Sequence, residues 1–155
     1  MTSLIKYRGF IMQEIEFRLI YQHDETGKFI TTFITLDELL KSSTRVRAFD
    51  KYTLITKNQF IGRFDKNKRK VFTGDIVNVF FEIEKGIKIE KFIVKWDNIS
   101  CGYTLWDIQR KTEWKGVNPF IYLYEDAIEI EIIGNEVENI ELLEDSLFYS
   151  LSNKK

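Results

Sequence analysis

The run VFTGDIVNVFFEIEKGIKIEKFIVKW, Val71 to Trp96, limits the possible folds of this chain more than any other stretch. It is dominated by β-branched and aromatic residues, which suit the pleated surface of a strand. It reads as a short strand, a tight corner at Thr73–Gly74, a long strand to about Glu84, a turn at Lys85–Gly86 and a return strand to Trp96. Ile76, Val77, Val79, Phe80 and Phe81 place apolar side chains on both faces of the long strand, so each face needs cover. At the corner, Gly74 supplies backbone freedom and Asp75 accepts hydrogen bonds from nearby amides, as aspartate commonly does in turns. The competing reading makes Asp75 a working carboxylate; the turn reading is the stronger.

The rest of the chain follows the same grammar. QEIEFRLIYQH alternates, with Ile15, Phe17, Leu19 and Tyr21 on one face, and predicts a half-buried strand. DETGK turns it into KFITTFI, giving a hairpin over roughly Glu14 to Ile34. TLDE, Thr35 to Glu38, is a capping box and opens a short helix over Leu36–Lys41, buried through Leu36, Leu39 and Leu40. YTLIT and NQFIGRF read as two strands, DKNKRK (Asp65 to Lys70) as a polar turn, and GYTLWDI as another strand. Asn118 before Pro119 predicts a helix start. IEIEII ends a strand, Gly134–Asn135 supplies a structural turn, and ENIELLEDSLFYSL has the spacing of a C-terminal helix. There is one proline, and alanine, the best helix former, is scarce.

Several function classes are excluded or left with little support. Cys101 is the only cysteine and His23 the only histidine, so one chain cannot form a disulfide or assemble a Cys/His zinc site. A Cys101–His23 nucleophilic pair has nothing in the sequence to support it. The formal net charge of −1 gives no global attraction to nucleic acid or to an anionic membrane. No apolar run is as long as a membrane span, and Lys6 and Arg8 interrupt any signal-peptide pattern, so a cytoplasmic location is expected. No catalytic constellation, metal site or cofactor site is expected.

Two charged regions remain. Arg63, Lys66, Lys68, Arg69 and Lys70 are the densest basic cluster, flanked by Phe60, Phe64 and Phe72. Basic residues interleaved with aromatics on a β surface can bind nucleic acid through phosphates and base stacking. The stronger reading is a solvated turn whose aromatics point inward, or a charged edge that prevents strand pairing. From Glu125 to Asp145 the chain has nine acidic residues and no lysine or arginine. These predict a solvated face, or a surface that meets the basic turn of another subunit. Glu129 and Glu131 share a strand face but resemble a metal site only loosely. Trp96, Trp106 and Trp114 suggest a stacking platform; for Trp96 burial in the core is the expectation.

Three ordered blocks resemble the YopX proteins of bacteriophages and prophages. They are EIEFR (Glu14 to Arg18), QFIGRFDKNKRKVFTGDIV (Gln59 to Val77) and EIIGNEVENIELLED (Glu131 to Asp145). The second is similar to the family's Asp-Lys-Asn-Gly and Gly-Asp-Ile-Val elements, and the third to its Ile-Gly-Asn-x-x-Glu-Asn-Pro-Glu-Leu ending. Lys68 stands where the family usually has glycine, which suggests a turn of another type, and Ile140 replaces the usual proline. The resemblance implies a mainly β, SH3-like fold and a phage or prophage setting, and it implies no catalytic residues. Family members tend to start just before the first block, so Met12 is a candidate true start and residues 1–11 a leader; a genuine N-terminal extension is the alternative, and intact mass separates them.

The expectation is therefore one YopX-like domain over residues 12–145, with an N-terminal hairpin and helix over 12–56, an SH3-like barrel over 57–135, and a helix and tail over 136–155. Its expected role is non-enzymatic, through an unknown protein partner or a homo-oligomer, with nucleic-acid binding by the basic turn as the alternative.

Overall fold

The computed structural model describes residues 6–7, 10–11, 15–41, 50–98, 101–108, 112–113 and 128–143. The mainly β expectation holds. The chain divides into two compact units, Met1–Gly62 and Arg63–Lys155.

In the first unit, β1 (Lys6–Tyr7) and β2 (Phe10–Ile11) pair antiparallel. The predicted hairpin is present as β3 (Glu16–His23) and β4 (Phe29–Thr35). Its turn is tied by His23 Nδ1, which accepts the amides of Glu25 and Thr26, each at 3.2 Å. β3 is more buried than an alternating pattern implies. Arg18, Leu19, Ile20 and Tyr21 are consecutive buried residues, so both faces of β3 are covered, while its two edges pair with β4 and β5 (Tyr52–Phe64). Arg18, on the face opposite Leu19, donates from Nη2 to the buried Asn58 Oδ1 at 3.3 Å.

β5 corrects another expectation. The segments read as two strands form one, because a bulge replaces the break. The register with β3 shifts between Ile20 and Tyr21, opposite Thr56 and Leu54, so Ile55 is the extra residue. β5 crosses the unit boundary at Gly62, and its last residues belong to the second unit together with β6 (Lys70–Phe72).

The short helix α1 (Leu36–Leu40) opens as predicted. Glu38 N donates to Thr35 Oγ1 at 3.2 Å, and Thr35 N donates to Glu38 Oε2 at 2.8 Å. The bond from the Thr35 amide is the main reason the Glu38 carboxyl lies below its ordinary value. The predicted burial of the helix fails: Leu36 is only half-buried, and Leu39 and Leu40 are exposed. The i, i+3, i+4 spacing does put the three leucines on one side of the helix, but that side is largely solvent-facing.

The second unit is built on an antiparallel sheet of order β10-β9-β8-β7-β11, with β7 (Asp75–Ile83), β8 (Gly86–Asp97), β9 (Gly102–Asp107), β10 (Thr112–Glu113) and β11 (Ile128–Asn135). β7 is central and apolar on both faces, as expected. Ile76 lies on one face with Ile93 and Ile108, against Trp106, Ile133, Leu142 and Leu143. Val77 and Val79 lie on the other; there Phe92, Val94, Leu105 and Ile130 are also buried.

The sheets do not close into the expected SH3-like barrel. Among the described residues β10 and β11 remain the two edges of the five-stranded sheet. Residues 141–143 are helical, in line with a C-terminal helix; the remainder of that helix, the Asn118–Pro119 helix start, Trp114 and Met12 lie outside the described residues. No helix among the described residues is long and apolar enough to cross a membrane.

Candidate functional site

The basic turn after β5 is built on Asp65. Its Oδ1 accepts the amides of Asn67 and Arg69, each at 2.9 Å, while its backbone carbonyl accepts the Lys68 amide at 2.9 Å. Its Oδ2 accepts Arg69 Nε at 2.9 Å and the Ile132 amide at 3.2 Å, and pairs with Arg69 Nη2 at 2.6 Å. The carboxylate is buried. Burial alone would push it up. The Arg69 side chain and the amides of Arg69, Ile132 and Asn67 outweigh burial and hold it below its ordinary value.

The same turn covers the outer edge of β11. Lys66 N donates to Ile130 O at 2.9 Å, Arg69 Nη2 donates to Ile132 O at 2.6 Å, and the Ile132 amide reaches Asp65. Thus three backbone groups that an edge strand would leave open are satisfied by a turn rather than by another strand. Lys66 Nζ adds an ion pair to Glu131 Oε2 at 2.8 Å and lies 4.5 Å from the centre of the Phe80 ring. The acidic C-terminal region and the basic turn therefore meet within one chain.

Of the five basic candidates, Lys66 and Arg69 are engaged in holding this edge. Lys68 and Lys70 are exposed and Arg63 is half-buried. The flanking aromatics separate: Phe72 is buried, Phe60 is half-buried and Phe64 is exposed.

The Gly74–Asp75 corner faces inward. Asp75 is fully buried, and its Oδ2 accepts the Phe72 amide at 2.8 Å, which closes the corner. Gly74 has φ +82, a conformation that costs a residue with a Cβ roughly 1–2 kcal/mol. Its amide donates to Val94 O at 2.8 Å and its carbonyl accepts the Glu136 amide at 2.9 Å. Asp75 also pairs across the sheet with Asn135. The Asn135 side-chain oxygen accepts the amides of Val137 and Glu138, and its Nδ2 donates to Glu138 Oε2 at 2.7 Å. At Gly134 there is no room for a side chain: a Cβ would stand 2.6 Å from Asn139 Oδ1 and 2.8 Å from Leu142 Cδ1.

A family model described as YopX protein matches residues 6–144. The chain belongs to the YopX family. No curated protein matches it.

Two of the YopX-like blocks have a structural explanation. Asp-Lys-Asn is the turn that Asp65 organises. The Gly-Asp of the second block is the corner closed by Asp75. In Ile-Gly-Asn-x-x-Glu-Asn, Gly134 gives clearance, Asn135 ties the next turn, Glu138 binds the Asn135 amide group, and Asn139 Oδ1 accepts the Asn135 amide at 3.1 Å. The expected change of turn type at Lys68 does not occur. Lys68 has φ +62, the left-handed conformation that glycine adopts easily, because the surrounding Asp65 bonds hold the backbone there. Sequence reasoning missed Asp65, which looked like an interruption in a basic cluster; an aspartate heading a polar turn was the available signal.

The other candidates resolve locally. Trp96 is 52% exposed rather than buried, with its ring edge against Tyr103 at 5.2 Å and its Nε1 donating to Asn98 Oδ1 at 3.1 Å. It is the penultimate residue of β8, where the sheet face is no longer covered. Glu129 and Glu131 do share a face of β11, opposite Phe80 and Asn78, but Glu131 is the partner of Lys66. Among the described residues no group of three or more His, Cys, Asp or Glu residues could hold a metal ion.

Proposed function

We propose that this YopX-family chain is a non-enzymatic phage or prophage accessory protein of the bacterial cytoplasm that acts through protein contact. The observation that carries this reading is the outer half of the β7–β8 hairpin. Ile83 is 48%, Ile87 69% and Ile89 55% exposed, in an arm that, among the described residues, extends past the last pairing of β11 at Phe81 and of β9 at Phe92. Apolar side chains concentrated at the end of an ordered arm are suited to a partner. In contrast, Asp65, Asp75 and Asn135 each bond to turn amides, a structural use of their polar groups. The test is co-purification of the wild type and of Ile87→Ser/Ile89→Ser from induced cells. Partners that disappear with the variant, at unchanged thermal stability, support the reading; an unchanged set of partners contradicts it.

A second reading, nucleic-acid binding by the turn, is favoured by the exposure of Lys68, Lys70 and Phe64. Anisotropy titration of mixed DNA and RNA at low salt, where phosphate contacts are strongest, decides it. Binding lost in Lys68→Glu/Lys70→Glu supports this reading, and no binding by the wild type rejects it.

A further inference from the structure

The arm also has a backbone edge, and its sequence is complementary to itself. β8 pairs with β9 only from Phe92 to Asp97, and with β7 along its whole arm from Gly86. Over residues 86–91, β7 is its only partner among the described residues. The direction of its backbone groups follows from one bond: the Val94 carbonyl accepts the Gly74 amide on the β7 side, at 2.8 Å. Alternation along the strand then turns the even-numbered residues of β8 toward β7 and directs the amides and carbonyls of Ile87, Ile89 and Lys91 away from it. Among the described residues the arm thus presents a short open edge, ending where β9 takes over at Phe92, with two exposed isoleucines.

We infer that this edge pairs with the same edge of a second copy, antiparallel about a two-fold axis at Ile89. The inference rests on the protein-contact reading and names the partner. In this register Ile89 faces Ile89, Ile87 faces Lys91 of the other copy, and about six backbone hydrogen bonds join the strands. Lys88 faces Glu90 of the other copy, twice, as a pair that is not backbone-bonded, where cross-strand side chains are closest. Within one chain Lys88 Nζ already meets Glu90 Oε1 at 2.8 Å, so both charges lie on one face and become a four-charge cluster across the axis. The Lys91 stem can lie along Ile87 while its ammonium stays in water.

Charge also selects the register. The two neighbouring symmetric registers that keep the same backbone direction place Lys88 against Lys88 or Glu90 against Glu90. Like charges directly opposite are destabilising. From Glu82 to Lys91 the arm carries Glu82, Glu84 and Glu90 against Lys85, Lys88 and Lys91, so two arms meet without net repulsion. A second copy run antiparallel brings the reversed order of Lys88 and Glu90 that matches this edge.

Sedimentation velocity of the full chain over a concentration series tests the pairing. The wild type is expected to show a monomer–dimer equilibrium. Lys88→Glu places glutamate against glutamate twice and should weaken the dimer roughly tenfold or more. Ile89→Lys should do the same by placing two lysines on the axis. Lys88→Glu/Glu90→Lys restores opposite charges and should restore the dimer. Thermal unfolding of each variant establishes that it is folded. A wild type that stays monomeric up to about 1 mM overturns the pairing. So does a dimer indifferent to Lys88→Glu and Ile89→Lys, which would place the contact elsewhere. A monomeric wild type whose arm variant still loses its cellular partners rejects self-pairing and keeps the protein-contact reading; loss of neither rejects both.

Discussion

The β5–β6 turn and the β7–β8 arm are both charged hairpins of the second unit, and they use charge in opposite directions. In the turn, Asp65 draws in three amides and Arg69, Lys66 holds Glu131, and the outer edge of β11 is covered. In the arm, the exposed Lys88 pairs with Glu90, whose side chain is largely buried, while Ile83, Ile87 and Ile89 remain exposed. The turn has the denser positive charge and looks more functional in sequence. The structure assigns much of that charge to the fold and leaves the less conspicuous hairpin with the more accessible apolar surface.

The largest expected break in this comparison is Asp65→Ala. It removes the acceptor of three amides and a guanidinium, and should cost about 2–4 kcal/mol in urea unfolding. A cost below about 0.5 kcal/mol would mean that the turn is held by something else. The same carboxylate gives a pH signature. Its folded pKa is lowered from an ordinary 3.8, so its contribution is complete above that value and is lost as pH falls through the lower folded value. Asp65→Asn should flatten that part of the acid-unfolding profile.

Next in size is Gly134→Ala, which tests the far end of the covered strand. The added methyl meets Asn139 and Leu142 and should cost about 1–3 kcal/mol by calorimetry. A smaller effect works inside the turn and has the opposite sign. Lys68→Gly relieves a left-handed lysine and should stabilise by about 1 kcal/mol. If the turn is a fold element, this loss of a positive charge raises the melting temperature; if Lys68 binds nucleic acid, binding falls with it. The smallest expected effect on stability is at the arm. Ile87→Ser/Ile89→Ser should stay within about ±0.5 kcal/mol, measured where the chain is monomeric.

Much of this fold was legible in the chain. The Thr35–Glu38 capping box, the hairpin around Gly27, and the corner at Thr73–Gly74 are set by short-range chemistry, and each stands where local residues put it. Errors came where long-range pairing decided the outcome. β5 runs through a bulge because β3 lies beside it, which no local residue of Thr53–Asn58 announces. Leu39 and Leu40 have helical spacing and still face outward. The role of Asp65 depends on Ile132, and that of Lys66 on Glu131, partners more than sixty residues away in sequence. The basic cluster could be read as composition, but its assignment to the edge of β11 needed the topology of the sheet.

The most direct test is equilibrium unfolding in urea of Asp65→Ala beside Ile87→Ser/Ile89→Ser, at a concentration low enough to keep the chain monomeric. The account predicts a loss of about 2–4 kcal/mol for the first and almost none for the second, with equal urea dependence. A neutral Asp65→Ala together with a strongly destabilised arm variant would contradict it, because the turn would then be the spare surface and the arm the structural element.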